Sequence, residues 1–300
     1  MNPDQAEFPP VSLIIPVYHS QATLAASLRS FRALDYPELQ IIVVDSSRDE
    51  ICQEIVQKDF PQIVYHHSRE CLLPHAARNL GVTLAKHSWL LFSDPDIYAP
   101  EDWLLTLMAA QIRLGGAIVS GLACHGRKWF DWGVHLAKFD MVLPRPQARR
   151  AALGATAGLL CSRAVYEQVG GFRGDTMLGD TLFSWHAVAA GVTLTQAAAS
   201  SASHHHVTTC RRFCRERYTR GQEFVRLLEE LRPESPVLRV WRLLLTVSPL
   251  RWVKFTFHTL FQAGASGLGW RAVGCLPVIC LGHASWLAGE ARQMRRTFFH

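Results

Sequence analysis

Three hundred residues, 49% hydrophobic and 19% charged, exclude disordered, collagen-like and coiled-coil classes. They allow one large domain or two, with a core that needs no disulfide staples. The net charge of +6 suggests a polyanionic partner, but residues 1–200 hold 16 basic and 19 acidic side chains, net −3, and residues 201–300 hold 15 and 6, net +9.

The opening MNPDQAEFPP has neither a basic stretch nor an apolar run, so no signal peptide is expected there. Eight cysteines form no CxxC pair and are read as reduced thiols of a cytosolic protein. Residues 11–17 (VSLIIPV) predict a buried strand. Leu24, Leu28, Phe31 and Leu34 predict a helix over 20–34, ended by Tyr36-Pro37. A second strand is predicted over 40–45 (QIIVVD), a helix over 49–58, a third strand over 62–65, and a helix over 74–86 with Pro in its first turn. Strands at 88–93 (SWLLFS) and 117–120 flank a helix over 100–114. Such alternation predicts an α/β fold with a doubly wound, mostly parallel sheet. Residues 121–150 read as irregular, 163–169 as a short helix, 180–190 as a helix opened by Asp180, and 207–231 as a long basic helix stopped by Pro233.

Beyond that helix, Arg271 is the sole charge between Lys254 and Glu290, and residues 272–289 are uncharged but broken by Pro277, Gly282 and His283. A spanning helix wants ~20 predominantly apolar residues. Amphipathic or re-entrant segments in a bilayer interface are therefore expected, with a buried helical subdomain and a hairpin of two spans as the alternatives in that order. The basic stretch over 211–226 is expected to meet an anionic membrane leaflet and no nucleic acid, because no nucleic-acid module is visible upstream. Cys210 and Cys214, next to His204, His205 and His206, are read as buried thiols ahead of zinc ligands.

Ligands of such sheets bind beyond the carboxyl ends of the strands. Three polar clusters fall there: Tyr18-His19, Asp45-Ser46-Ser47 and Asp94-Pro95-Asp96. One Asp after a strand is as readily a turn residue as a ligand, but three clusters together favour a site. Asp94 and Asp96 present hard oxygen ligands to Mg²⁺ or Mn²⁺, and such an ion takes further ligands from water and a diphosphate.

The blocks VSLIIPVY (11–18), IIVVD (41–45), ARNLG (77–81), LLFSDPD (90–96) and GFRGDTMLGDTLFSWHA (171–187) match in order and spacing those of a known family. Over residues 10–220 the chain resembles the family 2 inverting glycosyltransferases, which have the GT-A fold. The resemblance implies that Pro16, Val17, Tyr18 and Asp45 hold the nucleotide base and ribose, and that Arg78 and Asn79 face the nucleotide. It implies that Asp94 and Asp96 bind the ribose side and the metal-diphosphate, and that Asp180 is the general base. A later His completes the metal site; His204, His205 and His206 are eligible, and His206 is assigned. The chain departs from the family pattern at His19 (Asn), at Ser46-Ser47-Arg48 (Asp-Gly-Ser), at Gly179 (Glu of an acidic pair) and at His186 (Arg).

The residues support that chemistry. A cation on Asp94 and Asp96 stabilises the leaving diphosphate. A carboxylate at Asp180 takes the acceptor's proton, with Asp175 as a competing base and helix capping as the other role for Asp180. The expectation is a metal-dependent inverting glycosyltransferase that moves a sugar from a nucleoside diphosphate donor, UDP-sugar favoured, to a hydroxyl of a glycan or lipid-linked acceptor. Residues 1–120 form the donor half, 121–206 the acceptor half, and 207–300 a membrane-associating region. That region holds the protein, as a peripheral or monotopic protein, at the inner, cytoplasmic face of the cell membrane. A nucleotidyltransferase and a non-catalytic nucleotide-sugar-binding scaffold are the alternatives.

Overall fold

A computed structural model describes residues 8–231 and 236–298. Residues 1–7, where most of the stretch expected to lack a signal peptide falls, and the expected stop at Pro233 lie outside the described residues. The apolar run Val11–Val17 forms β1, buried along its whole length, as a strand covered on both faces must be. Beside it lie β2 (Leu39–Asp45), β3 (Val64–His67) and β4 (Trp89–Phe92), all parallel, in the order β3-β2-β1-β4. The register sets Val17 opposite Asp45 and Ile14 opposite Phe92, so the three polar clusters leave the sheet at one end. The linking helices are α1 (Leu24–Arg32), α2 (Ile51–Asp59) and α3 (Pro74–Leu84).

Beyond β4 the sheet continues through β8 (Leu159–Ser162), β6 (Ala117–Cys124), β9 (Leu194–His204) and β5 (Ile97–Tyr98), with β7 (Arg149–Arg150) on β9. β8 runs antiparallel to β4 and β6, while β6 and β9 are parallel. α4 (Trp103–Leu114), α6 (Arg163–Val169) and α7 (Gly179–Ala189) complete this unit, which comprises the chain to His125 and Pro144–His205. Gly81 lets α3 lie on the sheet: a Cβ there would overlap the Ile14 Cγ2 methyl and stand 3.4 Å from Val44 Cγ2.

The second unit, Gly126–Leu143 and His206–His300, is helical. It holds α5 (Trp129–Phe139), α8 (Cys210–Leu231), α9 (Pro236–Val247), α10 (Pro249–Gly264), α11 (Gly269–Gly274) and α12 (Leu276–Phe298). Leu136, Leu143, Ala263, Ala272, Cys275 and Ile279 form one buried cluster, and Val134, Ala137, Phe213 and Val278 another. Glycines let α8 and α12 touch backbone to backbone: Gly221 meets the Trp286 carbonyl and Gly289 meets the Tyr218 carbonyl. Glu290 is fully buried, with Arg251 Nη1 at 2.6 Å and Trp286 Nε1 donating to it at 2.6 Å. Thr259 donates to Asp140 at 2.7 Å and accepts from the buried His283 ring at 3.1 Å.

Two elements differ from the sequence expectation. Residues 121–150, expected to be irregular, contain α5, whose Gly133 to Ala137 are all buried. β9, an Ala- and Ser-rich strand (LTQAAASSASH), forms because β6, β5 and β7 pair with it. Cys210 is exposed and Cys214 half-buried, so the first is not the buried thiol expected, and all eight cysteines are free. No described helix is long and apolar enough to cross a membrane, so the hairpin of two spans does not form among the described residues. The tail instead divides by face. On α10, Thr256, Thr259 and Ala263 are buried, while Leu250, Val253, Phe257 and Phe261 form an exposed stripe.

Two stability changes follow from this packing. Gly81→Ala overpacks the α3–β1 contact and should cost about 1–3 kcal/mol, read as a lower midpoint in chemical denaturation. Burial pulls the His283 imidazole down to about 4. The unfolded chain therefore binds a proton that the folded one refuses as pH falls from about 6.5 to about 4. Stability should drop across that window by up to about 3 kcal/mol, and His283→Gln should flatten the drop in unfolding free energies measured at pH 7 and pH 4.5.

Candidate functional site

The site stands at the carboxyl ends of β1, β2 and β4. The Asp94-Pro95-Asp96 turn is tied down on three sides: Ser93 N–H donates to Ile14 O at 3.1 Å, Ser27 Oγ donates to Ile97 O at 2.8 Å, and His205 N–H donates to Asp96 O at 2.8 Å. Both carboxylates remain half-exposed, because the backbone rather than the side chains absorbs these bonds. Ligand atoms of Asp94, Asp96 and His204 all lie within 4.8 Å of one another, with His204 Nε2 3.6 Å from Asp96 Oδ1. Two hard oxygens and one imidazole nitrogen suit a divalent cation that retains open positions.

This arrangement corrects the choice of histidine. His204 ends β9 opposite Ile97, the residue after Asp96, which brings its ring to the turn. His206 belongs to the helical unit, where its Nε2 lies 3.0 Å from His135 Nδ1. His205 takes a third direction, with its Nδ1 3.0 Å from the Tyr98 hydroxyl. Successive side chains diverge, so only one of the three reaches the carboxylates.

Arg78 is 2% exposed and pairs through Nη2 with Asp94 Oδ1. Pro74 at the first position of α3 sets the helix in phase, and the i, i+3 spacing puts His75 and Arg78 on one face. His75 Nδ1 lies 3.4 Å from Arg78 Nη1, and the Asp180 backbone N–H points to His75 Nε2 at 3.3 Å. Asp94, Arg78, His75 and Asp180 thus form one continuous line of side chains and backbone. Sequence reasoning missed His75; its i, i+3 spacing to Arg78 and the small residue at 179 were the available signals.

Asn79, expected at the nucleotide, is committed elsewhere. Its Nδ2 donates to Phe172 O at 2.7 Å, and its Oδ1 accepts from Phe172 N–H at 3.2 Å and from the Tyr166 hydroxyl at 2.6 Å. One step along a helix turns a side chain by about 100°, so Asn79 clamps the 171–175 loop while Arg78 faces Asp94.

The residues expected at the nucleotide sit together at the ends of β1 and β2. Pro16 and Val17 are buried, and Tyr18 is exposed, edge-on to the His19 ring at 4.5 Å. His19 is left-handed (φ 49°), its N–H donates to Ser47 Oγ at 2.8 Å, and its Nδ1 lies 2.9 Å from Asp49. Asp45 is fully buried, accepting from Ser47 N–H and from the Tyr65 hydroxyl, each at 2.8 Å. Burial, with the bond to Asp45, pushes the Tyr65 hydroxyl far up, so it stays a donor.

Asp180 lies in the first turn of α7 with Leu178 as the cap residue, not as the cap itself. Its Oδ1 accepts from Thr181 N–H at 2.8 Å. The competing carboxylate, Asp175, is exposed and gripped by Arg173 at 2.7 and 3.2 Å, and those bonds hold it below the usual carboxylate range. That makes Asp175 a weaker base than a free carboxylate.

Residues 12–169 match the family described as Glycosyl transferase family 2. Among curated relatives, the chain is 29% identical over 166 residues to UDP-Glc:alpha-D-GlcNAc-diphosphoundecaprenol beta-1,3-glucosyltransferase WfaP of Escherichia coli, covering 53% of this chain and 61% of that one. It is 29% identical over 104 residues to GalNAc(5)-diNAcBac-PP-undecaprenol beta-1,3-glucosyltransferase of Campylobacter jejuni, covering 33% and 34%. The chain thus spans less than two thirds of either relative's length. Among solved structures, the fold is similar to mannosyltransferase PcManGT of Pyrobaculum calidifontis in complex with GDP-Man and Mn²⁺ (TM-score 0.61, 18% identity, 96% of this chain and 88% of that one). It is also similar to TarS of S. aureus in complex with UDP-GlcNAc (TM-score 0.55, 14% identity, 96% and 91%). With the α/β sheet, the paired aspartates at its open end and a family match over more than half its length, this chain belongs to glycosyl transferase family 2 and has the GT-A fold.

Proposed function

We propose that the protein is a metal-dependent, inverting glycosyltransferase that uses a nucleoside diphosphate sugar, UDP-sugar favoured, and a lipid-linked saccharide acceptor. The observation that carries this reading is the line Asp94–Arg78–His75–Asp180, which runs from the donor-side carboxylate to the acceptor-side carboxylate. Pro16, Val17 and the exposed Tyr18 ring bound the base, and Asp45 keeps the 46–47 turn in shape through Ser47 and Tyr65. Asp94, Asp96 and His204 hold Mg²⁺ or Mn²⁺, the imidazole tilting the set toward Mn²⁺ because Mg²⁺ prefers oxygen ligands. When bound, that cation neutralises charge developing on the leaving diphosphate. Arg78 holds Asp94 in place and adds positive charge beside it. Asp180 accepts the proton of the acceptor hydroxyl, and a single displacement from the face opposite the leaving group inverts the anomeric centre. The printed names of the Escherichia coli and Campylobacter relatives specify diphosphoundecaprenol-linked substrates, which supports the lipid-linked acceptor.

The helical unit suits such an acceptor as a peripheral bilayer contact. Leu250, Val253, Phe257 and Phe261 expose one stripe of α10, Trp241 and Leu245 project from α9, and Trp270 is 90% exposed. Soluble surfaces rarely present apolar patches of that extent, and no described helix spans. The cytoplasmic leaflet, rich in anionic lipid, is the surface that would also attract the basic last third.

Wild-type protein incubated with Mn²⁺ and UDP-, GDP- and dTDP-sugars should release nucleoside diphosphate, faster with membrane lipid extract. Asp180→Asn should lower turnover roughly 10²–10⁴-fold, and Asp96→Ala should lower it on the order of 10²-fold or more. Unchanged turnover in both variants defeats the mechanism. In vesicle co-sedimentation with anionic lipid, Phe257→Asp with Phe261→Asp should weaken binding by about 100-fold or more, because each buried Phe contributes roughly 1.5–3 kcal/mol. Equal partitioning of variant and wild type, or a dimer that hides the stripe in light scattering, overturns the bilayer contact.

A further inference from the structure

The family's acidic pair has lost its first member in this chain, where position 179 is Gly. The structure shows what stands in that space. A Cβ on residue 179 would lie 2.6 Å from both Cγ and Cδ2 of His75 and 2.7 Å from the Arg173 carbonyl oxygen. The His75 ring is 3% exposed, packed 5.3 Å from the Phe172 ring, and it rests directly on the start of α7. The first N–H groups of a helix have no partner within it. Leu178, the cap residue of α7, has no side-chain oxygen to offer them. His75 reaches in from α3 and presents Nε2 to the Asp180 N–H at 3.3 Å.

We propose that His75 is a positioning residue: a cap supplied from another helix, occupying the space of the missing acid, which fixes the first turn of α7 and with it the Asp180 carboxylate. The inference rests on Asp180 being the general base. The ring's tautomer follows from its neighbours. The Asp180 N–H and the Arg78 guanidinium are both donors, and a neutral imidazole accepts at one nitrogen only. The tautomer protonated at Nδ1 caps Asp180, whereas the one protonated at Nε2 accepts from Arg78. Each tautomer accepts from one of the two donors; Arg78 keeps Asp94 through Nη2 in either case, so the capping tautomer is the one that leaves both Arg78 and the Asp180 N–H bonded. Gly179 is then explained as well: any side chain there would displace the ring.

The test separates the two nitrogens. Gln at 75 places an amide oxygen where Nε2 stands, and Asn places one where Nδ1 stands. His75→Ala should lower kcat roughly 10- to 100-fold, the penalty for a misplaced catalytic group. Donor KM should change by less than about three-fold, since binding energy to the donor is untouched. His75→Gln should recover most of the lost kcat and His75→Asn should not. Independently of turnover, amide hydrogen exchange read by NMR should be about five-fold faster at Asp180 in His75→Ala and near wild type in His75→Gln. Unchanged exchange in His75→Ala, or Gln and Asn rescuing equally, overturns the proposal. A wild-type protein without turnover defeats the parent mechanism, and the exchange measurement still decides whether His75 caps α7.

Discussion

A guanidinium carried to 2% exposure has to be paired, because the desolvation of an isolated cation costs several kcal/mol. Arg78 is paired with Asp94, and much of the architecture at the carboxyl ends of β1, β2 and β4 follows from that contact. For Arg78 to reach the end of β4, α3 must lie close over β1, which is possible because position 81 has no side chain. For Asp94 to accept it and still face outward, the turn must be held by its backbone, as Ser27 and His205 hold it. The pair also spaces the site: one guanidinium edge reaches the carboxylate, and the other reaches His75 beside α7.

The departures from the family pattern are read most clearly through backbone geometry. His19 stands where the family has Asn, at a left-handed position; Asn, Asp and His are the residues that tolerate that region best. The exchange therefore keeps the chain path and adds an ion-pair partner for Asp49. Ser47 likewise does the turn's work with its hydroxyl, accepting from His19 N–H while its own N–H caps Asp45. Gly179 is the deeper change, since it removes a carboxylate and exchanges it for an imidazole from a different helix. The His75 ring presses on the point of the chain where a side chain at 179 would stand.

What could be read in the sequence depended on whether a signal was local. β1, β2 and β4 are largely apolar runs, closed by Tyr18, Asp45 and Ser93, and they lie where those runs predicted, with the D-x-D at the open end. β9 has no such signal: alanines and serines become a strand only because neighbouring strands need a partner. Adjacent residues in a motif were the other blind spot. Arg78 and Asn79 read as a pair facing the nucleotide, and His206 as the choice among three eligible histidines; neighbouring side chains point apart, so Arg78 and His204 go to the carboxylates while Asn79 and His206 serve other contacts. Asp180 was placed at the head of its helix, but the residue that supports it came from 105 positions away, beyond any periodicity.

Several of the 15 cations in the basic last third turn inward instead of facing solvent. Glu216 lies between Lys138 and Arg220; burial raises its pKa, but those cations outweigh burial and hold it down to about 2. Arg217 stacks on Trp286 at 4.6 Å, and desolvation pulls it down to about 10. Arg251 is spent on the buried Glu290. Several of the cations that suggested a polyanion are therefore mortar for the helical unit. The bilayer reading then leans on the apolar stripe more than on Coulomb attraction, and the two have different salt dependences. Electrostatic adsorption fades as the Debye length shrinks from about 10 Å at 0.1 M to about 3 Å at 1 M salt, whereas burial of Phe257 and Phe261 does not. A contact built as α10 is built should survive high salt, with anionic lipid governing how fast the surface is found more than how firmly it is held.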